Sequence, residues 1–478
     1  MRTGKLFWLI CASLTLFAAC DEEYNRVDPE PDPENPTTPV ATISDTTLKV
    51  NAFVNDFTQL YYLWSDEIDW TKTTPDKEPD SYAFFDKLKY KDDQWSMLTD
   101  DLGGLEDEFA GTVTSFGYAL IFGRFSDSDD LFAVVLFVYP GTPADRAGLK
   151  RGDFIVGMNG GSITIDNRME LYDAKSIMLT RGQLTEFGLA ADPTLIVLNA
   201  ETMYEDPILK DTVIVKGANR IGYLSYADYT EKSEVALQQV FSKFKSQGVT
   251  DVVLDLRYNG GGYVRTMSVL VSILAPQSAV KSKSIYLRQI WNQLLNAYWK
   301  SEGDDLAEHF TDTLSVNMNL SRLYVLTSEY SASASESTIV GLRPYLNLVQ
   351  IGDTTHGKYC AGSLFEAMVQ DRRGDWVEDA TISNWGMYLM IYRVSNVNSD
   401  NSFNGGLAPD IYAEEDYFPL MPWGDERDPL LGKAIEDITG VAITETRSAT
   451  PKARFDIRKD LTVQRFKFGK MIAPLRTK

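Results

Sequence analysis

Between Leu48 and about Asp101 the apolar residues Phe53, Phe57, Leu60, Tyr61 and Leu63 recur mostly at helical spacing, followed by Tyr82, Phe84, Phe85 and Leu88. That spacing predicts a small helical domain over residues 48–102. Beyond Gly103 the period shortens. Tyr118 to Phe122 and Phe132 to Val138 read as strands broken by acidic turns, and Pro140 to Asp153 carries one short helix, so a β domain is expected over 103–215. From Arg220 onward the strand candidates Ile221 to Tyr226, Val252 to Leu256, Leu323 to Thr327 and Leu348 to Ile351 alternate with helical runs near Glu234 to Ser246 and Val264 to Leu274. This alternation marks an α/β layer over 216–445, and the whole reads as a multidomain α+β chain. There is no internal repeat.

The 478 residues exceed what one hydrophobic core usually organises. A hydrophobic fraction of 44% and an aromatic fraction of 12% place the chain among globular proteins. A formal charge of −22 repels phosphate backbones, which disfavours nucleic-acid partners. Cys11, Cys20 and Cys360 are too few and too dispersed for a disulfide framework or a thiolate zinc site, and His309 and His356 are the only histidines, so no metal site is expected.

The N-terminus changes the picture most. Arg2 and Lys5 precede an apolar run, Leu6 to Ala19, that is too short to span a bilayer comfortably, so residues 1–20 read as an export signal. It ends Leu16-Phe17-Ala18-Ala19-Cys20, which resembles the lipobox of bacterial lipoproteins and implies lipidation of Cys20. Residues 21–47, acidic and Pro-rich, read as an extended tether. The acidic run Asp21-Glu22-Glu23 resembles the surface-export signal of Bacteroidetes lipoproteins, so the expected location is the outer-membrane surface, with its periplasmic face as the alternative. Removing Arg2 and Lys5 with the signal leaves 44 basic against 68 acidic residues, a charge of −24. The C-terminal segment 446–478 reverses this balance: from Pro451, nine Lys and Arg stand against two Asp, or +7. It reads as strands closing the catalytic domain, from the alternation of Leu461, Val463, Phe466 and Phe468, or as a basic tail pairing with the acidic body or with anionic lipopolysaccharide.

Three segments carry chemistry. Pro140 to Asn159 resembles the core of a PDZ domain, a fold in which an extended peptide adds as an edge strand and a loop of backbone N–H groups holds its terminal carboxylate. Ser115-Phe116-Gly117-Tyr118 is the expected position of that loop, although Phe116 and Tyr118 fit equally well as core residues of a strand. In Leu254-Asp255-Leu256-Arg257-Tyr258-Asn259-Gly260-Gly261-Gly262 a buried strand runs into three glycines, whose N–H groups could face an oxyanion. The alternative is a plain strand-to-helix turn. Thr327 to Glu336 follows a strand and opens a helix, where a hydroxyl lies beside free N–H groups and small alanines leave room for substrate. Read alone, this is a capping segment with Ser331 or Ser335 as N-cap.

Taken with Gly357-Lys358 downstream, these elements resemble the tail-specific, or C-terminal processing, peptidases of family S41, across roughly Gly103 to Gly440. The resemblance implies a crotonase-like ββα catalytic domain, Ser333 as nucleophile, Lys358 as general base, and the Gly261 and Ala334 backbone as oxyanion donors. Gly406 to Asp410 and Asp428 to Leu431 are similar to the family's closing segment. One departure stands out: the family commonly carries a Gln four residues after the lysine, and here that residue is Gly362. Lys358 can act as a base only when neutral, which requires burial to lower its pKa. His356 is the rival base. Ser242-Lys243-Phe244-Lys245 satisfies a Ser-x-x-Lys spacing, but on an amphipathic surface helix with no matching Lys-Thr-Gly strand. Cys360 lacks an ordered His and Asn set and reads as a packing residue.

The expectation is therefore a lipid-anchored serine endopeptidase acting on extracytoplasmic polypeptides through a Ser-Lys dyad, with no cofactor and no specified oligomeric state. The rival from another class is a noncatalytic surface lipoprotein binding peptide or glycan. The anchor is directly testable: Cys20→Ala should move the chain from the membrane fraction to the soluble fraction with its activity intact, and continued membrane association of that variant would refute the lipobox.

Overall fold

The computed structural model describes residues 43–125, 128–185, 188–401, 403–443, 455–461 and 470–474. The signal, Cys20 and most of the tether lie outside these residues, as do Val463, Phe466 and Phe468. Among the described residues no helix is long and apolar enough to cross a membrane.

The N-terminal helix Asp45–Tyr61 starts at Ser44, whose hydroxyl accepts the Thr47 N–H, and buries Val50, Phe53, Val54, Phe57 and Leu60 along one side. A second helix, Ser81–Leu88, is capped by Asp80. These helices close no core of their own. Their apolar faces join one cluster with Leu254, Leu270, Ile339 and Met390, the Leu63 N–H bonds the Met390 carbonyl, and the strand Met97–Thr99 pairs with Gly386–Ser395. The helical segment is a wall of the α/β half.

That half contains two sheets. The first has the order Ile411–Tyr412, Asn347–Gly352, Arg322–Thr327, Asp251–Asp255, Asn219–Tyr226 and Ile208–Lys216, parallel except for the last strand. All five residues of Asp251–Asp255 are buried, as a parallel strand covered on both faces requires. The predicted strands fall on these elements, and the helices Glu234–Ser246 and Val264–Leu274 match their predicted bounds. Ile208–Lys216 already belongs to this sheet, ahead of residue 216. The second sheet runs Gly261–Tyr263, Lys470–Ile472, Cys360–Glu366, Gly386–Ser395, Ile285–Trp291 and Ala307–His309.

A third sheet is antiparallel and largely separate, in the order Phe455–Ile457, Tyr118–Phe125, Leu131–Val138, Phe154–Met158, Ser176–Thr185 and Gly188–Asn199. The short helix Pro143–Arg146, capped by Thr142, packs on it. The C-terminal segment is thus divided: Phe455–Ile457 extends this third sheet, and Lys470–Ile472 enters the second.

A buried charge network ties the antiparallel sheet to the α/β half. Arg257, 1% exposed, bonds Asp255, Asp428 and Glu415, each at 2.8 Å. Arg151 reaches in from the antiparallel region to bond Glu415 at 2.6 Å and the Met421 carbonyl at 2.8 Å, its guanidinium 3.8 Å from the Trp423 ring centre. Burial alone would raise Glu415, but the two arginines outweigh it and hold the carboxyl below its ordinary pKa. Arg257→Ala leaves buried Asp255 without its cation and Glu415 and Asp428 with Arg151 alone, and should cost about 3–5 kcal/mol of stability, read from the denaturant midpoint. A loss below about 1 kcal/mol would show that the network contributes no more than surface ion pairs do.

Candidate active site

Ser333 lies at the start of the helix Ala334–Leu342, all nine residues of which are buried. Its φ of 62° and ψ of −109° are unfavourable for a residue with a Cβ and cost about 1–3 kcal/mol. The strain is held by neighbours. The Ser333 N–H donates to Glu336 Oε2 at 2.7 Å, and Asn259 fixes the preceding and following turns through its carbonyl, which accepts from Ala332 N at 3.1 Å and Ser335 Oγ at 3.0 Å. Ser333 occupies the N-cap position, whereas Ser331 and Ser335 do not: Ser331 Oγ donates to the Leu256 carbonyl and Ser335 Oγ to Asn259. The flanking alanines leave no open space either, since Ala332 and Ala334 are fully buried. Ser333 Oγ is itself buried and has no hydrogen-bond partner among the described residues.

Glu336 joins Ser333 to Lys358. Its Oε2 accepts both Ser333 N and, at 2.9 Å, Lys358 N, while Oε1 accepts Gly357 N and Thr355 Oγ1, each at 2.6 Å. Burial pushes this carboxyl up to about 7, and the four donors hold it back from rising further. All four partners are donors, so the arrangement is built for the ionised form.

Lys358 is fully buried. Burial lowers its pKa to about 8, against the opposing pull of Cys360, Asp93 and Glu336. Its Nζ lies 3.4 Å from Tyr388 Oη and 5.5 and 5.2 Å from the Trp95 and Tyr388 ring centres. A Cβ on Gly362 would stand 2.4 Å from the Met390 methyl and 2.7 Å from the Tyr388 ring, so these two side chains fill the volume at 362. His356 is half-buried, its pKa lowered by burial and by Lys358, and its backbone N–H bonds the Ser331 carbonyl. Cys360 packs in the core, and its thiol is pushed up by burial.

The glycine turn reaches the same point. Gly261 has φ 110°, and a Cβ there would lie 2.9 Å from Ser333 Cβ and 3.1 Å from Ala334 N, an approach that only glycine permits. Its N–H already donates to Asn259 Oδ1 at 2.9 Å. Ala334 N–H is the first of its helix and has no intrahelical acceptor. Ser333, Lys358, Gly261 and Ala334 therefore converge.

Ser115, Phe116, Gly117 and Tyr118 do not join them; they belong to the antiparallel region. Phe116 and Tyr118 are core residues, and the Gly117 N–H donates to Ser115 Oγ, which in turn bonds Glu205. Thr142 fills the space over Gly117, where a Cβ would be 2.2 Å away. Glu336, Asn259 and Tyr388 were given no role by the sequence. Only Glu336 left a signal, the Ser-x-x-Glu spacing of a capping box.

Glu336→Ala would leave three buried backbone N–H groups unpaired, at about 1–3 kcal/mol each, and release the strained Ser333. The expected result is lost stability together with lost turnover; a variant stable by denaturant titration and fully active would remove Glu336 from this scheme.

The model of peptidase family S41 matches residues 220–413, and that of the peptidase S41 N-terminal domain matches residues 49–97. A chloroplastic carboxyl-terminal-processing peptidase of Arabidopsis thaliana is 24% identical over 54% of this chain and 47% of its own length. The carboxy-terminal processing protease CtpA of Bacillus subtilis is 23% identical over 61% of this chain and 56% of its own. The chain thus spans about half the length of the curated relatives it matches. Among solved structures, a Bacteroides fragilis protein assigned to the S41 proteases superposes with a TM-score of 0.69 at 24% identity, covering 82% of this chain and 98% of that one, which shows a shared fold.

Proposed function

Because the chain belongs to peptidase family S41, we propose that it is a serine endopeptidase in which Ser333 is the nucleophile and Lys358 its general base. The observation that carries this reading is the pairing of a buried lysine, lowered to about 8, with a strained helix-start serine on the same Glu336 oxygen. Neutral Lys358 takes the hydroxyl proton as Ser333 Oγ attacks the scissile carbonyl, then returns it to the leaving amine. The Ala334 N–H stabilises the oxyanion at once, and the Gly261 N–H does so after exchanging its bond to Asn259. Tyr388 holds the amine where Gly362 offers no side chain. The substrate is polypeptide. By analogy with its relatives' names, it is taken from a chain end, and the PDZ-like residues 103–215 add it as a strand. The export signal places the reaction outside the cytoplasm, with Cys20 as lipid anchor.

The full burial of Ser333 favours a second reading, a peptide-binding protein without turnover. An unstructured polypeptide such as casein, incubated with the wild type and with Ser333→Ala, separates the two: cleavage by the first alone supports the peptidase, and no cleavage by either supports the binder.

The base carries its own test. The ammonium form is inactive and the lowered pKa lies near 8, so kcat/KM should rise with pH through about 8. It should fall more steeply below about 7, where Glu336 is protonated too. Lys358→Arg stays protonated and should be inactive, while His356→Gln retains substantial activity. The reverse pattern would replace the dyad with a Ser-His mechanism.

A further inference from the structure

The chain's own C-terminal residues lie along the PDZ-like sheet that the proposed function assigns to substrate and along the glycine strand at the candidate site. Phe455–Ile457 pairs antiparallel with Tyr118–Phe125, Ile457 opposite Gly123, and the Arg458 N–H continues the ladder to the Phe122 carbonyl at 2.8 Å. Leu461 packs against the core of that sheet, and Lys459 pairs with Glu329, four residues before Ser333, at 2.5 Å. This is strand addition at the edge that starts from Gly117.

The second contact is at the catalytic centre. Lys470–Ile472 runs between the glycine strand Gly261–Tyr263 and Cys360–Glu366, with Lys470 opposite Gly261 and Ile472 opposite both Tyr263 and Gly362. The Lys470 carbonyl is 2.3 Å from where a Gly261 Cβ would be, the same point that lies 2.9 Å from Ser333 Cβ and 3.1 Å from Ala334 N. On the other side, Tyr388 Oη donates to the Met471 carbonyl at 2.9 Å and accepts the Met471 N–H at 3.2 Å while contacting Lys358 Nζ. The segment therefore runs between the glycine strand and the strand that follows Lys358. Its side chains are specifically received: Lys470 Nζ lies 3.3 Å from Asp228 Oδ2 and 5.7 Å from the Phe109 ring centre, and Met471 and Ile472 are buried. Ala473 closes the contact, its N–H bonding the Gly362 carbonyl at 2.8 Å and its carbonyl accepting from Ser363 Oγ.

We propose that the cleft between Gly261–Tyr263 and Cys360–Glu366 is a strand-addition site for extended peptide with a basic residue followed by apolar ones, and that Lys470–Ala473 is its resident occupant. Asp228 selects the basic side chain, which a carboxylate held at an apolar wall does by charge and by the cost of leaving it unpaired. Substrate gains access to Ser333 by displacing this strand. The inference rests on the peptidase reading for the word substrate, but the binding it describes does not depend on turnover.

The test uses a fluorescein-labelled synthetic peptide of residues 469–478 and the chain carrying Ser333→Ala, so that binding is measured without hydrolysis. Ending that chain at Leu461 should tighten its Kd for the peptide by about tenfold or more relative to full length, the size of one well-made contact pair. A peptide with glutamate in place of Lys470 should bind about tenfold more weakly, and Asp228→Asn should erase the difference. Lys470→Glu in the otherwise complete chain, which repels its own strand from Asp228, should reproduce the gain in peptide binding without shortening the protein, and on the Ser333 background should raise casein cleavage. If neither the shortened chain nor Lys470→Glu binds the peptide more tightly, the strand is a permanent part of the sheet and the inference fails. Absence of casein cleavage in every variant alongside intact peptide binding would instead overturn the peptidase reading alone.

Discussion

Four donors converge on the Glu336 carboxylate, and the geometry of the site follows from that convergence. Burying a carboxylate costs several kcal/mol, which charge-assisted hydrogen bonds to ionised oxygen offset because each is about twice as strong as a neutral one. Two of the four come from backbone on either side of the chemistry, Ser333 and Lys358, so the strained turn and the lysine strand cannot move independently. The same charge opposes the neutralisation of Lys358, and burial wins by enough to leave the amine near 8. A lysine deeper or farther from acids would be neutral at all working pH values but a weaker base; one more exposed would stay protonated. The N-terminal segment enters this balance, since Asp93 and Trp95 line the lysine pocket and Asp93 is held by Tyr62 Oη at 2.6 Å.

The sequence revealed the parallel strands because, covered on both faces, they are continuous apolar runs such as Leu323 to Leu326, and it revealed the helices Glu234–Ser246 and Val264–Leu274 because one face of each is buried. Ser333 and Lys358 were legible through a motif. Their supports were not. Asn259 acts through main-chain bonds to residues more than 70 positions away, and Tyr388 lies in an apolar strand with nothing in its neighbours to single it out. Gly362 stands where the family commonly has a Gln, and the structure gives the physical counterpart: Met390 and Tyr388 take that volume from the opposite strand. The capping pattern was present at Ser333-x-x-Glu336, yet alternating serines made Ser331 and Ser335 look equivalent, and only the tertiary contacts of Leu256 and Asn259 separate them.

Compositional blocks proved to be poor guides to cores. The helical block over 48–102 has no interior of its own, because its apolar stripes are completed by residues after 254. Arg151, in a block that looks self-contained, is neutralised by Glu415 and stacked on Trp423. Sequence patterns report which face of an element is apolar but not what covers it, and in this chain the cover comes from far along the sequence.

The basic tail illustrates the same point with a functional edge. Its charge is opposite to that of the body, so attraction brings it back to the acidic surface whatever its final seat, with a strength that salt weakens. What decides the seat is local. At Lys470–Ala473, two of the groups that satisfy the strand's backbone are hydroxyls, Tyr388 Oη and Ser363 Oγ, rather than ladder partners. Hydroxyls rotate and can re-pair with another extended chain, and they act here beside the main-chain bonds that hold the strand on each edge. A site that must exchange one peptide for another is better built from rotatable donors, and the tyrosine that serves this purpose is also the one that holds Lys358. Displacing the tail would therefore be sensed at Lys358 without any movement of Glu336.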